Sequence, residues 1–255
     1  MNNLEIYCVT NKKLLFLENT NLKLAAVGKE NFSDRYFKCD NKINIYEKEK
    51  YYSELTFHYW YWKNRLNITQ KNWIGFCQKR RFWIKSEEDK KIINTDNLNQ
   101  YLLDKIDPTL NDYESIICNP INVSGAKKIK MIKRGWRNLI KDPSILFNNQ
   151  KETIAFHFDM HHGHNNLKKA ANLLEKKDKN DFVYYINKHN FYNPHIMCIA
   201  RPEVLEKWFN SLFPWLEKCE EVFGFDNLKG YDTLRLYAYF AERYLSYWFK
   251  KYTKY

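Results

Sequence analysis

The segment FHFDMHHGH, residues 156–164, contains four of the seven histidines in the chain and one aspartate. Imidazole nitrogens and carboxylate oxygens at such short spacing are common ligands of zinc and of other transition metals. The cluster from His157 to His164 therefore suggests a metal-dependent hydrolase, which we keep as an alternative hypothesis for the function. A hydrolase of this kind needs further metal ligands downstream, and only His189 and His195 follow as further histidines. We therefore favour the interpretation that the cluster is a polar loop in which one or two side chains are functional.

A second chemical candidate is the segment WIGFCQKRRFWI, residues 73–84, in which an apolar run leads directly into Lys79, Arg80 and Arg81. The run predicts a buried strand, and ligands of open α/β sheets bind at the carboxyl ends of strands. Arginine binds phosphate oxygens in a bidentate manner. The segment therefore predicts a diphosphate-binding turn, with a basic surface turn as the alternative.

Short apolar runs and helical patterns alternate along the chain. Runs rich in branched residues predict strands, several of them buried on both faces, at 4–10, 22–28, 73–78, 114–119 and 195–200. Apolar spacings of three and four predict helices at 51–66, 202–216 and 234–249. The first of these helices is expected to carry one apolar face, formed by Tyr52, Leu55, Tyr59, Trp62 and Leu66. The order predicts an α/β core with a helical C-terminal part, in one domain with a polar insertion at 85–112.

The composition, with 44% apolar, 28% charged and 17% aromatic residues, is typical of a soluble folded protein. A net charge of +12 favours an anionic partner, which is a nucleic acid, a phosphorylated metabolite or an acidic membrane face. The chain contains no apolar window of about 18 residues and no basic start followed by an apolar run. We therefore expect a cytoplasmic location without a membrane span or signal peptide, and free cysteines in the core.

The segment 124–141, SGAKKIKMIKRGWRNLIK, carries seven basic residues and no acid, with isoleucines and Trp136 interleaved. A basic strip with apolar residues is typical of a helix that lies on an anionic membrane surface, and it also suits a phosphate. The segment predicts peripheral contact with the inner membrane, and a solvated helix or loop is the alternative.

Several common functional motifs are absent from the sequence. It contains no GxGxxG, GxxxxGK[ST] or GxSxG, which argues against Rossmann dehydrogenases, P-loop NTPases and α/β-hydrolases. It also contains no helix-turn-helix or RNA-recognition motif, so nucleic acid is not the expected partner. No apolar strand ends in D-x-D.

Two blocks of the sequence resemble the DUF4422 family of bacterial capsular and exopolysaccharide biosynthesis glycosyltransferases. The first block, residues 33–64, is similar to the family's D-N-x-x-x-x-I-x region followed by the pattern Y-x-E-L-T-x-x-Y-W-x-W-K-N, which is matched by YYSELTFHYWYWKN at 51–64. The second block, residues 73–84, is similar to I-G-x-x-H-Y-R-R-Y-F. Three later family patterns have counterparts at His162 and Leu167, at Tyr192 and Asn193, and at Arg235, Phe240, Glu242 and Arg243. The chain departs from the patterns at Gln78, Lys79 and Asn166.

The resemblance implies a GT-A-like nucleotide-sugar-binding fold, with a mixed central sheet flanked by helices and a helical C-terminal part. Its nucleotide-sugar half would occupy about 1–120 of a single glycosyltransferase domain, and its acceptor-side half about 121–255. The implied reaction transfers a sugar, with galactofuranose as one candidate, from a nucleotide sugar, expected to be a UDP-sugar. The implied acceptor is a capsular polysaccharide or lipooligosaccharide.

The resemblance also implies roles for particular side chains. The expected donor contacts lie in the turn after the first strand, before the aromatic helix and in the basic turn: Thr10, Asn11, Lys12, Ser53, Glu54, Lys79, Arg80 and Arg81. Glu54 is equally well explained as an acid at a helix N-terminus. GT-A enzymes usually place D-x-D and a divalent metal where this chain has Gln-Lys-Arg-Arg. We therefore expect the arginines to replace part or all of that charge, and Mn²⁺ or Mg²⁺ is not firmly predicted.

The remaining expected residues lie in the second half of the sequence, except Tyr52. Asp159 or His162 is the predicted general base of an inverting transfer. Tyr52 and Asn193 are predicted to contact the acceptor or sugar. Glu242 and Arg243 form either a structural ion pair, which we favour, or a diphosphate contact.

Overall fold

The computed structural model describes residues 3–255. The chain divides into two compact units. Unit 1 comprises Met1–Ile117, Ile196–Asn210 and Tyr252–Tyr255, and unit 2 comprises Cys118–His195 and Ser211–Lys251. The predicted single domain and its division near residue 120 stay predictions.

Strands and helices alternate in the first part of the chain, and helices dominate the second. Across residues 3–255 the strands are β1 (Leu4–Thr10), β2 (Lys23–Ala26), β3 (Tyr36–Lys38), β4 (Trp73–Gln78), β5 (Ser115–Ile117), β6 (Ile121–Asn122), β7 (Phe191–Tyr192) and β8 (Cys198–Ala200). The α-helices are α1 (Leu15–Glu18), α2 (Glu49–Tyr52), α3 (Leu55–Asn64), α4 (Leu98–Tyr101), α5 (Lys128–Lys141), α6 (Ile154–His162), α7 (Asn166–Ala171), α8 (Lys176–Lys188), α9 (Pro202–Phe223), α10 (Gly230–Thr233) and α11 (Leu236–Tyr252). Short 3₁₀ helices lie at Tyr46–Lys48, Glu88–Lys91, Pro108–Leu110, Pro143–Leu146 and Asn149–Lys151.

Unit 1 contains a six-stranded mixed sheet in the order β3-β2-β1-β4-β8-β5. β1 pairs in parallel with β2 on one side and β4 on the other, and β8 is antiparallel to both β4 and β5. The chain builds outward from β1 through β2 to β3 and then returns to place β4 beside β1. The order of strands therefore reverses between β1 and β4, which is the switch point where open α/β sheets bind ligands.

The predicted strands are confirmed, since each of the five apolar runs contains an observed strand. In β4 the residues Trp73–Cys77 are all buried, which is typical of a strand in a mostly parallel sheet, whereas in β5 only Ser115 is buried. β3 was missed because it has only three residues, YFK, of which only Tyr36 is buried.

The predicted helix at 51–66 is interrupted and presents a different apolar face. The backbone breaks at Ser53, between α2 and α3. Within α3 the buried aromatic residues are Phe57, Trp60 and Tyr61, whereas the predicted Trp62 is partly exposed. Phe57 packs 5.6 Å from the Tyr7 ring of β1. Apolar spacing did not identify this face because aromatic residues lie on every side of the helix.

Unit 2 is mainly helical, with a two-stranded sheet of β6 and β7. α5 packs closely on α6, where Met131 and Leu139 join Phe156 and Met160 in one buried cluster. Gly135 permits the approach, since a Cβ atom there would lie 2.8 Å from the Phe156 ring. The basic segment predicted at 124–141 thus forms a helix with one face against the core.

α8 and α11 are joined in unit 2 by a buried carboxylate. Asp178 is 2% exposed, and its oxygens accept hydrogen bonds from Tyr244 and Tyr247 and contact Lys251 Nζ at 3.0 Å. The pairing satisfies a group that would be costly to bury alone. In the part of the chain that the structure describes, no helix is both long enough and apolar enough to cross a membrane.

Candidate functional site

The carboxyl ends of β1 and β4, with the turns that follow them, carry six of the eight predicted donor contacts in unit 1. Val9 pairs with Gln78 in register, so the turns that follow both strands begin at the same edge of the sheet. Thr10 Oγ1 donates to the Lys12 carbonyl at 2.7 Å and accepts from the Lys12 amide at 3.0 Å, which holds the first turn. Lys79 Nζ donates to Asn11 Oδ1, which links the two turns.

The basic turn after β4 is a tight hairpin. The amide of Gln78 donates to the Arg81 carbonyl at 3.1 Å, and the amide of Arg81 donates to the Gln78 carbonyl at 3.0 Å. Lys79 and Arg80 therefore occupy its two central positions. Both arginines are exposed, so their guanidinium groups are accessible to an anion from solvent.

Glu54 reaches the end of β4 as well. Its Oε1 accepts a hydrogen bond from Gln78 Nε2, the side chain of the last residue of the strand. The preceding Ser53 has φ 53° and ψ −128°, a conformation that costs a non-glycine residue about 1–3 kcal/mol. Its amide donates to Glu49 O at 2.7 Å, and its carbonyl accepts from the Thr56 hydroxyl, so the strained turn is held on both sides.

Two adjoining cavities lie in unit 1. The larger, of about 330 Å³, lies at the carboxyl ends of β2 and β3 and is lined by Gly28, Asp40 and Tyr46, among others. The smaller, of about 180 Å³, shares Gly28 and Tyr46 and extends to Glu49. Asn11 Nδ2 lies 3.5 Å from Glu49 Oε1. The cavities therefore lead from the end of β3 toward the turn after β1.

The residues that line the cavities at this second half of the edge were not among the predicted site residues. Gly28 has φ +82°, which suits glycine, and its carbonyl accepts the Tyr46 hydroxyl at 2.5 Å. Gly28 closes the apolar run at 22–28, and that position was an available signal. Asp40 follows β3 and lies in the stretch similar to the family's D-N region, but no site role was predicted for it.

Asp159, the first candidate base, is engaged by three groups in unit 2. Its Oδ2 accepts from Asn138 Nδ2 at 2.8 Å, and its Oδ1 accepts from the Asn165 amide at 2.9 Å. His164 Nδ1 lies 3.0 Å from Oδ2. The carboxylate thus joins α5, α6 and the beginning of α7.

His162, the second candidate base, lies on the same helix but has partners on other elements. Its Nδ1 is 2.8 Å from the Asp232 carbonyl, so Nδ1 carries the proton and donates it. Its ring stacks on Tyr239 with centroids 3.8 Å apart. Burial lowers the pKa of His162 to about 3, which makes the ring a weak base.

The other histidines of the cluster do not converge on one point. His157 and His161 stack with centroids 4.6 Å apart. Burial lowers the pKa of His157 to about 2 and that of His161 to about 4, with the Arg243 charge contributing to both. Among residues 3–255, no three or more His, Cys, Asp or Glu side chains are grouped so that they could hold a metal ion. Within these residues the hypothesis of a metal-dependent hydrolase therefore lacks a group of side chains that could bind the metal.

The two predicted acceptor contacts are buried. Tyr52 is 2% exposed and Asn193 is 3% exposed. Asn193 Nδ2 donates to the Cys118 carbonyl, and Asn193 Oδ1 accepts from the Ser246 hydroxyl at 2.6 Å. These bonds hold the chain beside β7, and an acceptor contact for either residue stays a prediction.

Glu242 and Arg243 form an ion pair in unit 2. Arg243 is 1% exposed, and its guanidinium lies 3.9 Å from the centre of the Tyr192 ring. Glu242 Oε1 also accepts the His195 amide at 2.6 Å. The geometry favours the structural interpretation of this pair.

Ser53 allows a direct test of the strain beside Glu54. Ser53→Gly relieves the positive φ, whereas Ser53→Ala keeps the strain and removes the hydroxyl. We expect the glycine variant to be more stable than the alanine variant by about 1 kcal/mol. This difference is the free-energy cost of the backbone strain minus the entropic cost of ordering a glycine. Urea denaturation of both variants measures this difference, and a more stable alanine variant would contradict it.

The buried histidines predict a loss of stability in acid. The folded pKa of His157 is about 2, against 6.5 for an ordinary histidine, so below pH 6.5 the unfolded chain binds a proton that the folded chain does not. The contribution of the buried neutral His157 ring to the free energy of unfolding is complete above pH 6.5, and it is lost progressively as the pH falls toward 2. Between about pH 7 and 5, we expect the free energy of unfolding of the wild type to fall more steeply than that of His157→Phe, by up to about 1.4 kcal/mol per pH unit.

Urea denaturation at several pH values measures this slope, and His189→Phe, at an exposed histidine of the same unit, controls for the loss of a surface histidine. Equal slopes for the wild type and His157→Phe would contradict the buried neutral ring.

Comparisons with known proteins agree with the α/β architecture. The chain matches a solved structure described as the apo structure of the bifunctional glycosyltransferase WbbM, with a TM-score of 0.63 and 18% sequence identity. The match covers 98% of this chain and 42% of that chain, so it spans less than half of that protein, and likeness at this identity concerns the fold. No curated protein matches. The family model described as "Domain of unknown function (DUF4422)" matches residues 5–253, and the chain belongs to the DUF4422 family.

Proposed function

We propose that this protein is a glycosyltransferase of the hexosyltransferase type and that its nucleotide-sugar donor binds at the carboxyl edge of the unit 1 sheet. The observation that carries the proposal is the meeting of the turns after β1 and β4, through Lys79 Nζ and Asn11 Oδ1, at the switch point of the sheet. The fold likeness to a protein described as a bifunctional glycosyltransferase supports the same activity.

The basic turn supplies positive charge for the donor diphosphate. Transfer of the sugar leaves the bond electrons on a phosphate oxygen, so cations at this position stabilise the transition state more than the ground state. Lys79 is held beside the β1 turn, and the exposed Arg80 and Arg81 are accessible to the outer phosphate oxygens. We propose that these three residues replace part or all of the charge of a metal ion.

The nucleoside is proposed to occupy the cavity of about 330 Å³ at the ends of β2 and β3. That volume lies within the range of about 300–1,000 Å³ that is usual for small-molecule sites. The exposed carboxylate of Asp40 is a hydrogen-bond acceptor in its lining. Uracil offers an N–H donor at N3, whereas cytosine offers an acceptor there. Between the two pyrimidines Asp40 therefore favours uridine over cytidine, and UDP is the proposed leaving group.

The sugar itself is proposed to contact Glu54 and Ser53. Gln78 orients the Glu54 carboxylate, whose oxygens accept hydrogen bonds from sugar hydroxyls. Galactofuranose is the candidate sugar, and a capsular polysaccharide or lipooligosaccharide is the candidate acceptor.

Asp159 remains the candidate base in preference to His162. It lines a cavity of about 400 Å³ within unit 2, together with Asn138, Thr153 and Asn165. Amide and hydroxyl groups of this kind suit a hydroxyl-rich saccharide. The depressed pKa of His162 argues against that ring as a base at neutral pH.

Calorimetric titration with UDP tests the donor site. Lys79→Met removes a charge-assisted contact, so we expect UDP to bind at least about tenfold more weakly. Lys91→Met, at an exposed lysine of unit 1 that lines neither cavity, is the matched control and should bind UDP like the wild type. Asp40→Asn should reduce the preference for UDP over CDP. Wild-type affinity of Lys79→Met for UDP, with a folded protein, would overturn the donor site.

Transfer assays test the role of the arginines. If Arg80 and Arg81 supply the charge, activity persists in EDTA, and Arg80→Gln with Arg81→Gln lowers kcat. Loss of activity in EDTA and its return with Mn²⁺ or Mg²⁺ would contradict the substitution of the metal by the basic turn.

A further inference from the structure

α5 carries large apolar side chains on a face that does not pack against α6. Ile129, Ile132, Trp136 and Ile140 are 70%, 54%, 50% and 72% exposed. Their spacing of three, four and four residues places them on one side of the helix, and we call them the α5 stripe. The core-facing residues of α5 are different ones, so the stripe is a second apolar face that folding of unit 2 leaves in water.

Such a row of exposed branched and aromatic residues usually marks a binding surface. Basic residues flank it: Lys133 and Arg137 each follow a stripe residue directly, and segment 124–141 contains no acid. Arg137 lies 5.3 Å from the Trp136 ring centre, and Lys128 lies 5.0 Å from that of Phe147, which is itself 79% exposed. The surface therefore combines apolar and cationic groups along one helix.

We propose that α5 docks in the plane of an anionic lipid bilayer. The stripe enters the boundary between headgroups and acyl chains, and the flanking lysines and arginines contact lipid phosphates. Fourteen residues give a contact about 21 Å long. Trp136, at the centre of the stripe, suits the membrane interface because its ring is apolar and its N–H is polar. Packing of Gly135 against Phe156 holds the helix already formed, so docking has no helix-folding cost.

The combination of charged and apolar groups distinguishes an anionic bilayer from the other possible partners of this surface. A nucleic acid would satisfy the cations but leave the stripe in water, and a second copy of the chain would bring like charges together. An anionic bilayer satisfies both groups at once. The inference goes beyond the proposed function and does not depend on it.

Vesicle co-sedimentation of the full chain tests the proposal. We expect binding to vesicles of phosphatidylglycerol mixed with phosphatidylcholine, and much weaker binding to phosphatidylcholine alone. Trp136→Ser with Ile140→Ser should weaken binding at least about tenfold by removing apolar burial. Lys133→Gln with Arg137→Gln should weaken it about 25-fold, since each cation contributes about fivefold.

The matched control is Lys91→Gln with Ile92→Ser, an exposed lysine and isoleucine of unit 1, which should bind like the wild type. Circular dichroism and UDP titration of each variant report whether its fold and donor site persist. Failure of UDP to bind while vesicles bind would refute the proposed function and leave this inference standing.

Three results would overturn membrane docking. The first is no binding to anionic vesicles, and the second is binding that the Trp136 and Ile140 substitutions leave unchanged. The third is evidence of a different occupant, which is either a dimer that these substitutions convert to monomer or an oligonucleotide that binds more tightly than vesicles.

Discussion

β1 pairs in parallel with a strand on each side, and the proposed chemistry depends on this pairing. It aligns the ends of β2, β1 and β4, so that three separate turns open at one edge of the sheet. Gly75 shows how closely the neighbouring strands pack, since a Cβ atom there would lie 3.0 Å from Ile199 and 3.1 Å from Ile6. A shift of β4 along β1 would separate Lys79 from Asn11 and Gln78 from Glu54. The register of the strands therefore determines which side chains meet at this edge of the sheet.

The two units use charge in different ways. In unit 1 the arginines of the basic turn are exposed at the end of a strand, where a mobile anion can reach them. In unit 2 the charged and polar groups highlighted by sequence are mostly held by neighbouring residues, as Arg243 is by Glu242. Three histidines there have lowered pKa values because burial disfavours their charged form. These features give unit 2 a structural dependence on pH that is separate from catalysis.

The sequence predicted local features better than long-range ones. The apolar runs of β1 and β4 and the polar turns that follow them were recognisable, because burial and turn formation depend on neighbouring residues. The roles of Asp159 and His162 were not, because their partners Asn138 and Asp232 lie 21 and 70 residues away. For the same reason the apolar residues of segment 124–141 could not be divided between the core and solvent until the packing on α6 was known.

Hydrogen–deuterium exchange with and without UDP shows whether a uridine diphosphate group binds where the turns after β1 and β4 meet. We expect bound UDP to slow the exchange of backbone amides in the turns at 10–13 and 78–81 and in the segment 27–31 beside the larger cavity, and to leave residues 124–188 unchanged. Protection confined to 124–188, or none at the two turns under saturating UDP, would contradict it.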